Sequence, residues 1–295
     1  MIALRALTKQ YPGGRGISDV SFQVGPGEVF GYLGPNGAGK STTIRHLMGF
    51  LRPDRGSATI NGLDCWAEAP KVQATVGYLP GEIGFPEDLT GADLLALLAG
   101  MRQLAPTLDR RKDLCDRFDL DPRGPIQRMS KGTKQKVALV AAFMHTPDVL
   151  ILDEPTSGLD PLIQRRFLDL LIEERVRGAT VLMSSHSFDE VERVADRVGI
   201  LKDGRLVAVE DIGRLRQLQR KVFTIGTASE EDASGLARAG FPVVARRDRE
   251  IDLEVQGEYT TFIRALAGYE IRSLDVRPLN LEQIFMHYYG AGEAR

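Results

Sequence analysis

Gly34, Pro35, Asn36, Gly37, Ala38, Gly39, Lys40 and Ser41, followed by Thr42, fit the spacing G-x-x-x-x-G-K-[ST]. Residue types in that order suit the capture of phosphate groups. The glycines let backbone N–H groups converge on phosphate oxygens, and the positive end of a following helix adds to the field. Lys40 can reach β and γ phosphates as a point charge, and Ser41 can give its hydroxyl to Mg²⁺. The plain alternative is a glycine-rich turn that happens to precede a helix. With 31 glycines in 295 residues, a chance match to the four fixed positions arises in about one chain in a hundred. The context narrows it further, because Val29 to Leu33 reads as a buried strand and Ile44, Leu47 and Met48 continue at helical spacing.

A second set of residues has carboxylate chemistry. Asp148-Val-Leu-Ile-Leu-Asp-Glu154 is an apolar run that ends in two acids, the form of a central parallel strand. Active groups in such sheets collect at the carboxyl ends of the strands, the edge where the Gly34–Ser41 loop lies. Asp153 is then a candidate for holding Mg²⁺, and Glu154 for orienting or deprotonating an attacking water. Ala179 to Met183 reads as a further buried strand and delivers Ser184-Ser-His186 to the same edge, so His186 reads either as a structural histidine or as a partner of a terminal phosphate. Ser130 caps a helix with Gly132 close behind, which leaves either an ordinary capped helix or a second anion site. Tyr11, just before the turn Pro12 to Gly16, reads as a surface tyrosine or as a ring that lies flat on a base. His46, His145 and His287 have no such context and read as structural.

Around these residues the chain alternates strand and helix signals. Ile2 to Thr8 reads as an edge strand and Ile17 to Val24 as a second strand, with a hairpin signal at Asn61-Gly62. Trp66 to Pro70 reads as a connection. From Asp88 the pattern turns helical, with helices predicted around Leu94 to Met101 and from Leu108 to Phe118, as an insertion between sheet segments. Asp203-Gly204 is another hairpin signal, and Ile212 to Leu218 reads as a linking helix. Beyond it the order is strand, helix, strand, strand, helix, strand, then a last helix over Asn280 to Tyr289, which suggests a small ferredoxin-like domain. It lacks the aromatic sheet motif of single-strand RNA binders.

Composition is that of an ordinary globular chain, with 43% hydrophobic and 26% charged residues. A net charge of −2 gives no global basic field, so nucleic acid is not expected as a partner. No apolar run approaches the roughly 18 residues of a membrane span, and the first ten residues have no long apolar core, so the chain is expected to remain in the cytosol. Cys65 and Cys115 are the two cysteines and lie far apart in sequence, which predicts reduced structural thiols.

Taken together, these residues resemble the nucleotide-binding subunit of an ATP-binding cassette (ABC) transporter over about residues 1–212. Six motifs occur in that family's order: Tyr11 as the base-stacking aromatic, Gly34 to Thr42 as the P-loop, Ser130 to Lys134 as the signature segment, Asp153 and Glu154 as the magnesium and catalytic carboxylates, Ser157 to Asp160 as the dimer-contact turn, and His186 as the switch histidine. The resemblance implies a P-loop NTPase core with a mainly parallel sheet, a helical insertion at about 86–140 and antiparallel N-terminal strands, plus a small α+β accessory domain at 213–295. It implies ATP and Mg²⁺ as cofactors, with Ser41 and Asp153 on the metal, and Tyr11, the P-loop, Ser130, Lys131, Gly132 and Asp160 on nucleotide. Lys40, Glu154 and His186 take the catalytic roles. Two subunits, alike or related, would sandwich ATP and drive an integral membrane permease from the cytoplasmic face.

Two positions depart from the family pattern. The signature, usually Leu-Ser-Gly-Gly-Gln, reads Met129-Ser-Lys-Gly-Thr133, and the glutamine after the tyrosine strand is replaced in Tyr78-Leu-Pro-Gly-Glu82, with Gly81 in its place and Glu82 beside it. Both departures look like a bacterial subgroup of exporters with a separate permease, and Leu279 to Phe285 is similar to that subgroup's tail. The rival reading is a soluble ATPase of the same fold that remodels nucleic acid or ribosomes. Such chains usually carry two cassettes or a long coiled coil, and this sequence has one P-loop and no sustained heptads.

Overall fold

The computed structural model describes residues 1–105, 109–218, 221–255 and 259–278. They fall into two compact units, divided between Glu210 and Asp211. The first unit begins with β1 (Ile2–Gln10), β2 (Gly16–Val24) and β3 (Val29–Leu33), then α1 (Lys40–Leu47), β4 (Arg55–Ile60) and β5 (Leu63–Asp64). It continues with α2 (Ala69–Thr75), β6 (Val76–Leu79), α3 (Gly91–Met101), α4 (Arg111–Arg117) and α5 (Lys131–Phe143). The last part of the unit holds β7 (Val149–Asp153), α6 (Pro161–Arg177), β8 (Thr180–Ser185), α7 (Phe188–Val194), β9 (Arg197–Lys202) and β10 (Arg205–Asp211).

Two sheets divide the work. β3, β7 and β8 are buried along their whole length, because apolar residues on both faces suit a strand covered on both sides. They form the middle of a six-stranded sheet ordered β10-β9-β3-β8-β7-β6, in which β3 pairs parallel to β8 and β9, and β7 parallel to β6 and β8. Their carboxyl ends, Leu33, Asp153 and Ser185, share one edge. The other sheet is antiparallel, ordered β2-β1-β4-β5. β1 is therefore an interior strand, not the edge strand expected from its alternating pattern: it pairs with both β2 and β4, and one exposed face is enough to make a central strand alternate. Asn61-Gly62 does join β4 to β5, with Asn61 at positive φ.

Local chemistry sets the helix ends. Thr90 and Asp93 form a reciprocal capping box at the start of α3. Asp160 caps α6, Pro161 occupies its first turn, and Gly178 ends it in the left-handed conformation with φ 97°. α2 lies where a connection was expected; only Val72 of that helix is buried, so the apolar periodicity is too sparse to announce it. The helix expected from Leu108 to Phe118 runs Arg111–Arg117, Leu108 being outside the described residues.

The second unit opens with α8 (Ile212–Leu218) and continues β11 (Lys221–Thr227), α9 (Glu230–Ala237), β12 (Val243–Arg247), β13 (Glu250–Val255), α10 (Thr260–Leu266) and β14 (Ile271–Pro278). Its sheet order is β12-β13-β11-β14 with antiparallel pairs throughout, the ferredoxin-like arrangement. Phe223, Ile225, Leu236, Ile251, Leu253 and Phe262 form its core. The helix expected over Asn280 to Tyr289, the tail Leu279 to Phe285 and His287 lie outside the described residues.

Candidate active site

β3 carries the chain to the sheet edge and releases it into the 34–39 loop. Gly37 and Gly39 take φ 84° and 107°, a region that disfavours side chains. Gly34 has no room for one either, since a Cβ there would stand 2.6 Å from the carbonyl oxygen of Leu201. Gly39 ends the loop at the start of α1 and provides no side-chain cap, so the first N–H groups of α1 remain for another acceptor. Thr43, on the first turn, is tied to the strand by a 3.1 Å contact with the Tyr32 hydroxyl, and burial pushes that phenol's pKa up.

Lys40 is only 5% exposed. Its Nζ donates to Gly34 O at 2.6 Å and to Pro35 O at 3.3 Å, and it lies 3.0 Å from Glu154 Oε1. The loop thus folds back over its own lysine, which points a positive charge at the carboxylate following β7.

The two acids are held differently. Asp153 is buried at the end of β7, where its Oδ1 accepts a hydrogen bond from Ser184 Oγ at 2.5 Å. Glu154 follows at φ 49°, its N–H donating to the same Ser184 Oγ at 3.0 Å. Glu154 Oε2 accepts from His186 Nδ1 at 2.7 Å, and because a carboxylate only accepts, Nδ1 carries the proton. Ser184 therefore orients both acids, a role that the sequence reading missed. The available signal was the parallel register that sets Asp153 against Ser184. Near Asp153, the Tyr78 hydroxyl is pushed up to about 12 by burial and, secondarily, by the Asp153 charge.

Tyr11, Pro35, Asn36, Gly37, Gly39, Lys40, Ser41, Thr42 and Glu154 line one cavity of about 290 Å³, together with Arg15, which the sequence reading did not single out. Gly34 and Ala38 are buried and do not line it, the Ala38 N–H donating to Pro35 O at 3.1 Å. Ser130, Lys131, Gly132 and Asp160 are not among its lining residues. Ser130 caps α5 by accepting from Thr133 N at 3.1 Å. Lys131 Nζ lies 3.5 Å from Ser157 Oγ, and a Cβ on Gly132 would stand 2.7 Å from Gly158 O. Asp160 accepts from Leu162 N and Ile163 N at 3.0 Å, and those N–H groups hold its carboxyl below the usual range.

The donor set fits Mg²⁺. Ser41 is an exposed hydroxyl beside Lys40, and Asp153 keeps Oδ2 free of the Ser184 bond, so the candidate ligands are hard oxygens. Among the described residues no group of three or more His, Cys, Asp or Glu could hold a metal. A Cβ at Gly81 would come within 3.0 Å of Asp153 Oδ2, so the loop after β6 touches this carboxylate through glycine backbone. Glu82 is exposed and, with Lys131 and Lys134, lines a separate cavity of about 400 Å³.

A glycine loop opening a helix, beside a strand-end Asp–Glu pair on a parallel sheet, defines a P-loop nucleoside triphosphatase. The chain belongs to the ATP-binding proteins of ABC transporters and is an ATPase of that family: the ABC transporter model matches residues 17–157, and full-length relatives agree. The daunorubicin/doxorubicin resistance ATP-binding protein DrrA of Streptomyces peucetius is 32% identical, over 98% of this chain and 92% of its own. The linearmycin resistance ATP-binding protein LnrL of Bacillus subtilis is 30% identical over 98% of both. A solved ATP-binding subunit of an ABC transporter is 34% identical and superposes with a TM-score of 0.68 over 74% of this chain and 92% of that one. A dimeric cassette bound to ADP and Pi, 22% identical, shares the fold with a TM-score of 0.63 over 72% of this chain and 99% of that one.

Proposed function

We propose that this chain is the ATP-hydrolysing subunit of an exporter and powers a separate membrane permease by closing as a dimer, alike or with a related subunit, around Mg-ATP. The observation that carries this is the division of the site within one chain. Lys40, Ser41 and Glu154 share the cavity of the P-loop, whereas Ser130, Lys131, Gly132 and Asp160 stand outside it. A second subunit that presents its signature segment across the P-loop completes the site.

In this reading Tyr11 stacks on the base, backbone N–H groups of the loop hold the phosphates, and Lys40 moves onto the β and γ phosphates. Ser41 and Asp153 would hold Mg²⁺, which when bound neutralises phosphate charge. Glu154 accepts the proton of the attacking water, and His186 keeps that carboxylate turned toward the cavity. Export is favoured by the drug-resistance names of the relatives. Association with a permease places the chain at the cytoplasmic face of the membrane, and among the described residues no helix is long and apolar enough to cross one.

The test is Glu154→Gln. Removing the base while keeping the side-chain shape should leave ATP binding intact and accumulate an ATP-bound dimer, seen by size-exclusion chromatography with light scattering in Mg-ATP. A variant that stays monomeric at saturating ATP, with or without permease-containing membranes, counts against the dimer reading.

A further inference from the structure

The first two turns of α5 grip the segment that follows Glu154. Gln135 is 2% exposed, and its Nε2 donates a buried 2.9 Å hydrogen bond to the carbonyl oxygen of Pro155, the residue next to Glu154. Gly132 lies against Gly158, where a Cβ would meet Gly158 O at 2.7 Å. The Lys131 stem would be 3.5 Å from a Cβ on Gly158, and its Nζ is 3.5 Å from Ser157 Oγ. Positions 131, 132 and 135 share one side of the helix, so three contacts join α5 to residues 155–158.

The backbone of Glu154 itself is held on both sides. It adopts φ 49°, a conformation costly for a residue with a side chain, and such a conformation persists only where the surroundings enforce it. Ser184 Oγ holds the N–H side of Glu154 at 3.0 Å. On the carbonyl side, Glu154 O accepts from Ser157 N at 3.1 Å, closing a turn whose next carbonyl is the one that Gln135 holds.

We propose that Gln135 is a positioning residue for Glu154: its hydrogen bond to Pro155 O fixes the turn that aims the carboxylate, and thereby lets α5 set the reactivity of the base. The inference rests on Glu154 being the base. Because the start of the same helix carries the signature segment, a shift of α5 moves Pro155 and re-aims Glu154 without any change at the P-loop. Gln135 then governs turnover and not nucleotide affinity.

The experiment compares wild type, Gln135→Met, Glu154→Gln and the double variant as full-length proteins, measuring kcat and KM for ATP, affinity for a fluorescent ATP analogue, and thermal unfolding. Methionine keeps the volume and removes the donor. The expected result is a kcat lower by about tenfold or more for Gln135→Met, with KM and affinity within about twofold of wild type. In the Glu154→Gln background, Gln135→Met should cost nothing further, since no base remains to be aimed. If Gln135→Met does not fold, Gln135→Glu takes its place, because it keeps the shape and turns an acceptor toward Pro155 O. Wild-type kcat, a loss confined to KM, or a double variant whose losses multiply would overturn the proposal. Wild-type turnover by Glu154→Gln alone would instead overturn the assignment of the base.

Discussion

Lys40 and Glu154 form an ion pair, Nζ to Oε1, at 3.0 Å, with both side chains largely buried. Lys40 Nζ donates its hydrogen bonds to Gly34 O and Pro35 O, so a terminal phosphate that takes up Lys40 would compete with these two carbonyls and with the Glu154 charge. Glu154 is the one a phosphate would repel, and His186 stands ready to hold it at 2.7 Å. In the proposed function, nucleotide and base would compete for one ammonium group, which would link phosphate arrival to release of the carboxylate.

Lys40→Ala removes the cation that the proposed function sets against the β and γ phosphates and leaves the Glu154 carboxylate with His186. ATPase activity should fall by at least about 100-fold with weaker nucleotide binding. Steady-state assays of the purified variant check this, and near-wild-type activity would remove the P-loop from the site.

Ser184→Ala deletes the hydroxyl that donates to Asp153 Oδ1 and accepts from Glu154 N. The Mg²⁺ concentration for half-maximal ATPase activity should rise by about tenfold, as for other groups that orient a metal's carboxylate. Leaving the Glu154 N–H unpaired should also cost about 1–3 kcal/mol of stability. A magnesium titration and a denaturant melt measure the two effects separately.

Glu82 projects from the loop whose neighbour Gly81 touches Asp153, yet its own carboxylate is exposed beside Lys131 and Lys134. Glu82→Ala and Glu82→Gln should therefore keep the isolated subunit's kcat within about twofold of wild type and reduce the coupling of hydrolysis to transport in the assembled system. An Ala variant that is inactive without any permease would assign Glu82 to the metal site instead.

His145 follows α5, and burial, with the nearby Arg102 charge, lowers its pKa from 6.5 to about 4. A base with a depressed folded pKa is protonated first in the unfolded chain. The unfolded state thus binds more protons between those two values, and stability falls as pH drops from about 6.5 to 4. His145→Gln should flatten that part of the profile. Thermal unfolding at pH 7 and pH 5 reads the difference, and an unchanged slope would exclude His145 as its source.

The sequence by itself determined the elements whose signals are local. Glycine and lysine spacing names the P-loop because only those residues permit that backbone and charge, and a fully apolar run ending in Asp153 and Glu154 declares a strand covered on both faces. The cap at Ser130 was likewise legible, since a cap acts within its own helix turn. What only the tertiary structure decided are pairings between residues far apart in the chain. β1 became an interior strand because β4 returned to its open side, which alternation cannot report. Ser184 became the common support of two acids through parallel register, and Gln135 reached Pro155 across 20 residues. Such contacts depend on how sheets and helices are set against each other, and packing geometry of that kind leaves no period in the sequence to read.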